Sequence, residues 1–282
     1  MIALTGATGQ LGQFVVEELL KTVAAKQIVA IVRNPAKAEY LSQQGILVRQ
    51  ADYGDQAALT QALAGVDKLL LISSSEVGQR AVQHRNVINA AKAAGVKFIA
   101  YTSLLHADTS PLGLHVEHVE TEKMLADSGI PYALLRNGWY SENYLASAPA
   151  ALAHGVFIGA AGEGKIASAT RADYAAAAAR VISEEGHAGK IYELAGDTAW
   201  TLSELAALLS KASGKNVVYQ NLSEADFAAA LKEVGLPEVF ANLLADSDAG
   251  AAKGGLFDDS KTLSKLIGRP TTPIADSVDT IL

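Results

Sequence analysis

The 282-residue chain contains no cysteine. That absence excludes disulfide frameworks, thiolate zinc sites, iron–sulfur clusters and a cysteine nucleophile. Basic residues are also scarce, since 23 Lys and Arg stand against 30 Asp and Glu and the net charge is −7. An acidic chain without a run of Lys and Arg is not expected to bind nucleic acid.

Long hydrophobic runs and a leader-like segment are missing as well. The longest uncharged stretch, Asn143 to Gly162, is interrupted by a proline, a histidine and a glycine, so no membrane span is expected. Met1 to Leu4 has neither the basic region nor the apolar region of a signal peptide, so we expect a cytoplasmic protein. Half of the residues are hydrophobic and 19% are charged, which is typical of a folded globular chain.

Short apolar segments alternate with single helices through the first half of the chain. The predicted strands are Ile2–Leu4, Ile28–Val32, Leu47–Gln50, Lys68–Ile72, Phe98–Thr102 and Tyr132–Arg136. Nearly continuous apolar strands separated by helices predict an α/β fold with a parallel sheet that is covered on both faces.

The alternation loosens after about Asn137. An alanine-rich helix is predicted at Tyr174–Ser183 with Asp173 as its N-cap, and a capping box opens another helix at Thr201-Leu202-Ser203-Glu204. The C-terminal residues predict a small, mostly helical lobe. We expect one domain over residues 1–150 and a second over residues 151–282, with a boundary that allows the segments to interleave.

Three glycines lie between the first strand and the first helix. The segment reads Gly6, Ala7, Thr8, Gly9, Gln10, Leu11, Gly12. In this position Gly6 permits a sharp turn, Gly9 lets the backbone approach a pyrophosphate, and Gly12 allows close packing of the helix. Because the helix N-terminus presents free N–H groups to an anion, the segment predicts a dinucleotide-binding loop. The alternative is a tight turn without a ligand.

The residue after the second strand bears on the choice of nucleotide. In sites that prefer NAD, an acidic residue about 20 positions after the glycines binds the ribose 2′-hydroxyl. Here that place holds Arg33, and no Asp or Glu occurs between Leu19 and Ala38. Because a guanidinium attracts the 2′-phosphate of NADPH, we predict NADPH as the preferred cofactor. The alternative for Arg33 is a solvated loop charge.

Several segments together carry a family resemblance. They are Thr5–Gly12, Val32-Arg33-Asn34-Pro35, Ala51-Asp52-Tyr53, Ile72-Ser73-Ser74-Ser75, Leu135-Arg136-Asn137-Gly138-Trp139-Tyr140 and Leu266-Ile267-Gly268-Arg269-Pro270-Thr271. With these motifs the whole chain resembles the NmrA-like branch of the atypical short-chain dehydrogenases. Within that branch it is similar to the bacterial NAD(P)H:quinone oxidoreductase group, which lies close to the triphenylmethane reductases.

The resemblance implies both a fold and an activity. The fold is a Rossmann doubly wound parallel sheet with a smaller, mostly helical C-terminal lobe. The activity is NADPH-dependent transfer of hydride directly to a quinone or a similar conjugated electrophile, without metal or flavin. We expect the protein to be a monomer or a homodimer. Its binding partner is expected to be this small-molecule electrophile.

The resemblance also places the cofactor contacts on the glycine loop and on residues beyond it. Those residues are Arg33, Asp52, Ser73, Ser74, Ser75, Asn137, Gly138, Trp139, Tyr140, Ser141, Glu142 and Arg171. Asp52 has an alternative role as a turn or N-cap residue. Arg171 has the alternative of pairing with a carboxylate.

The sequence departs from the wider superfamily at its catalytic pair. Short-chain dehydrogenases usually carry Tyr-x-x-x-Lys, in which the lysine lowers the pKa of a proton-shuttling tyrosine. None of the nine tyrosines here has a lysine four residues later, and the corresponding helix offers His118 to Lys123 instead. Alcohol dehydrogenation, epimerisation and dehydration by the usual route therefore lack their base. A quinone needs only hydrogen-bond donors at its carbonyl, because its reduced oxygen is a stabilised phenolate.

Candidate substrate contacts follow the sixth strand. Tyr140 and Asn143 are the catalytic candidates, because the amide of Asn143 donates to a carbonyl without any protonation requirement. Their alternatives are a core role for Tyr140 and loop capping for Asn143. Ser103 and His106, at and after the end of the fifth strand, are candidates for substrate contact, and the alternative for His106 is a loop histidine. We predict no metal site, because the helix face formed by His115, His118 and Glu122 has no second cluster to complete a metal shell.

A second class of function shares most of these features. A redox sensor of the NmrA type would bind NADP through the same glycine loop, without turnover. The aromatic and amide side chains from Tyr140 to Tyr144 favour an open substrate pocket and hence the enzyme.

Overall fold

The computed structural model describes residues 1–281, which contain two β-sheets. The strands are β1 Ile2–Thr5, β2 Ile28–Val32, β3 Leu47–Gln50, β4 Lys68–Leu71, β5 Phe98–Leu104, β6 Tyr132–Asn137, β7 Val156–Gly159, β8 Ile191–Leu194 and β9 Val218–Asn221. Seven strands form one sheet in the order β3-β2-β1-β4-β5-β6-β8, and β7 pairs with β9. Strands β1 to β6 are parallel, which confirms the predicted α/β sheet.

Most of the helices in the first half of the chain lie where the apolar periodicity of the sequence predicts them. They are α1 Gln10–Leu20, α2 Glu39–Gln43, α3 Gln56–Ala62, α4 Arg80–Ala94, α5 His115–Ser128, α6 Ser141–Leu145, α7 Ala148–His154, α8 Arg171–Ser183, α9 Leu202–Ser213, α10 Glu224–Glu233, α11 Glu238–Ala252, α12 Thr262–Ile267 and α13 Ile274–Asp279. Among the described residues, no helix has the length and apolar character needed to cross a membrane.

Two predicted helix starts have different outcomes. Thr201 forms the predicted capping box, because its hydroxyl accepts the Glu204 N–H while the Glu204 carboxylate accepts the Thr201 N–H. The prediction of Asp173 as an N-cap is wrong. Helix α8 begins at Arg171, so Asp173 lies inside its first turn, where it is fully buried.

The central strands of the sheet are buried on both faces because nearly all of their residues are apolar, whereas the edge strand β3 is partly exposed. In β2 all five residues are buried. Val29, Ile31, Leu69 and Leu71 share one core with apolar side chains of α3 and α4. Side chains alternate along a strand, so the residues between them point to the opposite face, where α8 contacts β4 and β5 and packs against α1.

The described chain forms two compact units that interleave in sequence. The first comprises Met1–Leu104, Val116–Asn137 and Arg171–Tyr192, and it holds β1 to β6. The second comprises Leu105–His115, Gly138–Thr170 and the residues from Glu193 onward, and it holds β7, β9 and most of the C-terminal helices. The division into domains 1–150 and 151–282 remains a prediction.

Candidate functional site

The carboxyl ends of the parallel strands bring many predicted cofactor residues to one edge of the first unit. Gly6 follows β1, Arg33 follows β2, Asp52 comes shortly after β3, Ser73 shortly after β4, and Asn137 ends β6. Open parallel sheets bind ligands outside these ends, at the point where the strand order reverses. In this sheet the order reverses between β1 and β4.

The glycine loop has the geometry of a phosphate cradle. Gly6 adopts a φ of +64°, and a Cβ on Gly12 would lie 2.1 Å from the Gly6 carbonyl oxygen, so α1 packs against the loop only because residue 12 is glycine. Gly9 is the N-cap of α1 and provides no side-chain cap. The first-turn N–H groups therefore have no capping side chain and are available to an anion, which fits a pyrophosphate.

The segment after β4 is held by bonds within the protein. The N–H of Ser73 donates to Thr102 Oγ1 at 2.8 Å, and the N–H of Ser74 donates to His84 Nε2 at 3.0 Å. The hydroxyl of Ser74 accepts the Glu76 N–H at 3.1 Å. Two backbone N–H groups and the Ser74 carbonyl oxygen, which accepts from Arg80 Nε, are thus already used, so a cofactor would meet mainly the side chains of this segment.

Burial fixes the protonation state of the histidine behind that segment. Burial lowers the pKa of His84 to about 3, so its ring is neutral. Because Nε2 accepts the Ser74 N–H, Nδ1 carries the proton and donates to Thr121 Oγ1 at 2.9 Å. Thr121 in turn donates to the Glu117 carbonyl oxygen at 2.8 Å.

Two predicted nucleotide contacts lie in polar surface positions of the first unit. Arg33 Nη1 lies 2.6 Å from Glu76 Oε1, and the Arg33 side chain is 64% exposed. Asp52 Oδ1 accepts the Gly54 N–H at 2.7 Å, which is the geometry of the turn that is its alternative role. The contacts of both residues with a nucleotide remain predictions.

Asn137 carries an unpaired acceptor at the carboxyl end of β6. The residue is 5% exposed, and its Oδ1 has no hydrogen-bond partner among residues 1–281. Buried polar atoms almost always have a partner. An orphaned acceptor at this edge of the sheet fits a ligand that brings a hydrogen-bond donor.

Helix α5, on which the sequence places His118 to Lys123 instead of a Tyr-x-x-x-Lys pair, forms buried bonds within the protein. Arg136 donates to both carboxylate oxygens of Glu122, at 3.0 and 2.7 Å, and Ser103 Oγ donates to Glu122 Oε1 at 2.5 Å. The side chains of Arg136 and Glu122 are only 7% and 11% exposed. No sequence motif indicates this pair. The hydroxyl of Ser103, a predicted substrate contact, bonds inside the protein.

His118, one turn earlier, is also engaged inside the protein. The hydroxyl of Tyr101 lies 2.7 Å from His118 Nδ1. Burial holds the pKa of His118 well below its ordinary value and raises the pKa of Tyr101, so the tyrosine donates and the imidazole accepts. Neither His118 nor Glu122 is therefore poised as a proton donor.

The second unit contains the predicted substrate residues. The segment after β6 is fixed by Ser141, whose N–H donates to the Ala169 carbonyl oxygen at 2.9 Å and whose hydroxyl lies 2.8 Å from Ser168 Oγ. Tyr140 forms an isolated bridge with Ala169. Asn143 lies in α6, half-buried, and its N–H donates to the Tyr140 carbonyl oxygen at 3.0 Å.

Asn143 lines a small cavity in this unit. The other lining residues are Trp139, Tyr144, Ser147, Phe157, Ile158, Phe227, Leu231, Leu244 and Asp248. The cavity measures about 30 Å³, which holds about one water molecule and is much smaller than a quinone. A surface groove of about 660 Å³ along α9 and β9 contains none of the predicted site residues.

The carboxyl group that lines this cavity belongs to Asp248, which is not among the site residues predicted from the sequence. Asp248 Oδ2 accepts the Ala160 N–H at 2.8 Å, and Oδ1 accepts the Tyr144 hydroxyl at 3.4 Å. Burial raises the pKa of Asp248 to about 6 and the pKa of Tyr144 well above its ordinary value. A signal was available, because Asp248 follows Ala241 and Ala245 at the spacing of a buried helix face.

His106 and Arg171 complete the sequence-predicted candidates. His106 adopts a φ of +51°, its N–H donates to Glu193 Oε2 at 2.8 Å, and its Nε2 lies 3.4 Å from Asp258 Oδ2. Its neighbours are thus loop and carboxylate groups of the second unit. Arg171 is the first residue of α8, in the first unit, and is half-buried. Its contact with a cofactor remains a prediction.

Comparison with known proteins gives both a family and close relatives. The NmrA-like family matches residues 1–267. The chain is 83% identical over 278 residues to quinone oxidoreductase 2 of Escherichia coli (strain K12), covering 99% of this chain and 97% of the relative. It is 31% identical over 280 residues to an NAD(P)H azoreductase of Xenophilus azovorans, covering 98% and 96%.

Solved structures of similar proteins include NADPH-bound and NADP(H)-bound reductases. An NADPH-dependent quinone oxidoreductase from Escherichia coli, complexed with NADPH, superposes with a TM-score of 0.98 at 82% identity, covering 100% of this chain and 99% of that one. Triphenylmethane reductase from Citrobacter sp., complexed with NADP(H), superposes with a TM-score of 0.96 at 43% identity over 100% of both chains. The chain belongs to the NmrA-like family, as its sequence motifs predict.

Proposed function

We propose that the protein is an NADPH-dependent quinone reductase. The observation that carries this function is the 82% identity and the TM-score of 0.98 with an NADPH-bound quinone oxidoreductase along the whole chain. The phosphate cradle at Gly6–Gly12 gives the physical basis for cofactor binding. The same similarity favours an enzyme over the redox sensor of the NmrA type.

The residues of the first unit would bind and orient the cofactor. The first turn of α1 binds the pyrophosphate, Arg33 binds the 2′-phosphate, and the orphaned Asn137 Oδ1 accepts a hydrogen bond. Bound NADPH supplies the hydride that reduces the quinone. We extend the same proposal to the remaining predicted cofactor residues of this unit, Asp52, Ser73 to Ser75 and Arg171, and separately to Gly138 to Glu142, which belong to the second unit.

The residues of the second unit would contact the acceptor. Asn143 donates its amide N–H groups to a quinone carbonyl, and Tyr140 lies beside it on the same short segment. A quinone accepts hydride without a strong acid because the product oxygen is a stabilised phenolate. The neutral, internally bonded His118 and the paired Glu122 support this assignment, since neither is available as a proton donor.

The cavity beside Asn143 limits how the acceptor would bind. With a volume of about 30 Å³ it accommodates a single polar group and not a ring. In the proposed arrangement the carbonyl oxygen of the quinone points toward Asn143 and the ring stays outside the cavity.

The compartment and the assembly state complete the proposal. We infer a cytoplasmic enzyme that is a monomer or a homodimer and takes a small conjugated electrophile as its second substrate. A chain without cysteine is compatible with a reducing compartment. Light scattering of the purified protein distinguishes the two assembly states.

Mixing the protein with NADPH and 1,4-benzoquinone tests the function directly. We expect the nicotinamide absorbance to fall at a rate proportional to protein concentration, without added metal or flavin. Gly9→Val is the control, because a side chain there occupies the space of the pyrophosphate. A protein that binds NADPH tightly but leaves the absorbance unchanged with several quinones would instead be a sensor.

A further inference from the structure

One ion pair connects the two strands on either side of the glycine loop. Arg33 follows β2 and Glu76 follows β4, and both strands pair with β1. Arg33 Nη1 and Glu76 Oε1 are 2.6 Å apart. The contact therefore passes across the carboxyl end of β1, beside the cradle for the nucleotide.

Glu76 is held in this position by its neighbours. Its second carboxylate oxygen accepts a hydrogen bond from Gln83 Nε2 at 2.7 Å, and its N–H donates to Ser74 Oγ at 3.1 Å. The segment that carries it is tied to α5, because the Gly78 N–H donates to Glu117 Oε1 at 3.0 Å. Both oxygens of the Glu76 carboxylate therefore have a partner within the protein.

The position of this carboxylate matters for the choice of nucleotide. In sites that prefer NAD, the residue after the second strand is acidic, and its carboxylate accepts the ribose 2′-hydroxyl while repelling a 2′-phosphate. Here the residue after β2 is Arg33, and the carboxylate beside it comes from the β4 side. A 2′-phosphate that binds Arg33 must displace Glu76 or lie within a few ångströms of its negative charge.

We propose that Glu76 is a specificity-determining residue that competes with the 2′-phosphate of NADPH for Arg33 and so reduces the preference for NADPH over NADH. This inference rests on the proposed function, in which Arg33 binds the 2′-phosphate. Both side chains are partly exposed, so the competition is moderate in size. We expect Glu76→Gln to tighten the binding of a 2′-phosphorylated nucleotide about threefold to tenfold.

The test uses two small nucleotides, so that binding is measured apart from catalysis. Adenosine 2′,5′-bisphosphate carries the 2′-phosphate and AMP does not. Isothermal titration of each into the wild type and Glu76→Gln should show tighter binding of the bisphosphate only. In the double variant Arg33→Ala/Glu76→Gln the gain should vanish.

A matched control separates a local effect from a change in net charge. Glu120→Gln on α5 also removes one negative charge from a partly exposed ion pair, in which Arg85 Nη2 lies 3.2 Å from Glu120 Oε1. We expect Glu120→Gln to bind both nucleotides as the wild type does. An equal gain in the two single variants would overturn the proposal in favour of a general charge effect.

The remaining outcomes are also decisive. If Glu76→Gln binds the bisphosphate no more tightly than the wild type, or more weakly, Glu76 does not compete for Arg33. If the wild type does not prefer the bisphosphate over AMP, the assignment of Arg33 fails and the proposal fails with it. If Glu76→Gln shows the expected gain but the wild type reduces no quinone, the proposed function fails and the role of Glu76 stands.

Discussion

The guanidinium of Arg136 donates to both carboxylate oxygens of Glu122 in the interior of the first unit, at 3.0 and 2.7 Å. His118 and Glu122 have the spacing of the tyrosine and lysine in Tyr-x-x-x-Lys, and both bond inside the protein. Helix α5 therefore contributes to stability through these buried pairs.

Glu122→Ala should lower the free energy of unfolding by about 3 kcal/mol, because it removes a buried carboxylate that accepts two hydrogen bonds from the Arg136 guanidinium and one from the Ser103 hydroxyl. Chemical unfolding monitored by circular dichroism measures the change. Glu120→Ala on the same helix breaks only a partly exposed pair and should cost less than about 1 kcal/mol. Equal unfolding midpoints for the two variants would show that the buried pair adds nothing.

Substitutions at two glycines of the loop should have different effects, one on folding and one on nucleotide binding. A Cβ on Gly12 would lie 2.1 Å from the Gly6 carbonyl oxygen, whereas a Cβ on Gly9 would lie 3.1 Å from the same atom. We therefore expect Gly12→Ala to destabilise the fold, and Gly9→Val to remain largely folded but lose NADPH binding. Circular dichroism and nucleotide titration of both variants check this. Normal NADPH binding by folded Gly9→Val would contradict the loop assignment.

Arg33→Ala should weaken NADPH binding and leave NADH binding nearly unchanged. A charge-assisted contact with the 2′-phosphate is worth about tenfold to a hundredfold in affinity, and the exposure of Arg33 favours the lower end of this range. Fluorescence titration with both nucleotides measures the ratio. Lys26→Ala, at the amino end of β2, is the control for a lost surface cation. Equal losses for NADPH and NADH would show that Arg33 does not contact the 2′-phosphate.

Features encoded within a few neighbouring residues could be predicted from the sequence. The apolar run Ile28–Val32 predicts a buried strand from the sequence alone. In the structure these residues form β2, and all five are buried. The spacing of Gly6, Gly9 and Gly12 predicts the turn into α1, because each glycine meets a local steric demand. Strand β9 has no such signal, since most of its residues are exposed and its two polar residues follow Val218 and Tyr219 without any alternation.

Contacts between residues distant in sequence could not be predicted in this way. Glu76 is 43 positions from Arg33, and Asp248 is 104 positions from Tyr144. Neither pair lies in a shared motif, so only the fold brings the side chains together. Asp173 shows a related limit, because an acidic residue near a helix start resembles an N-cap whether it lies just before the helix or inside its first turn.

Asp248 should make stability depend on pH. Its pKa is about 6 in the folded protein, above its ordinary value of 3.8, so folding favours the protonated form. The stability that the protonated Asp248 contributes to the folded protein is therefore fully present below about pH 4, and it is lost as the pH rises through 6. We expect Asp248→Asn, which keeps an acceptor for the Ala160 N–H, to be about 1 to 3 kcal/mol more stable than the wild type at pH 8. Near pH 4 this advantage should disappear. An advantage that is independent of pH would contradict the raised pKa.

Asn143→Ala should lower the rate of quinone reduction about tenfold to a hundredfold. The variant loses the donor that stabilises the developing phenolate, which costs roughly 1 to 3 kcal/mol of transition-state stabilisation. Steady-state kinetics with NADPH and 1,4-benzoquinone measures the loss. Ser147→Ala is the matched control, because it shortens a neutral side chain at the same cavity and should retain most of the activity.

His118→Ala decides between this mechanism and an acid on α5. The imidazole is neutral and accepts the Tyr101 hydroxyl, so it cannot donate from Nδ1 to a reduced quinone. We expect His118→Ala and Glu122→Ala, normalised to the folded fraction, to lose much less activity than Asn143→Ala. If Asn143→Ala keeps full turnover while folded His118→Ala loses it, a histidine donor explains the reaction better. The acceptor contact would then have to be assigned to a residue other than Asn143.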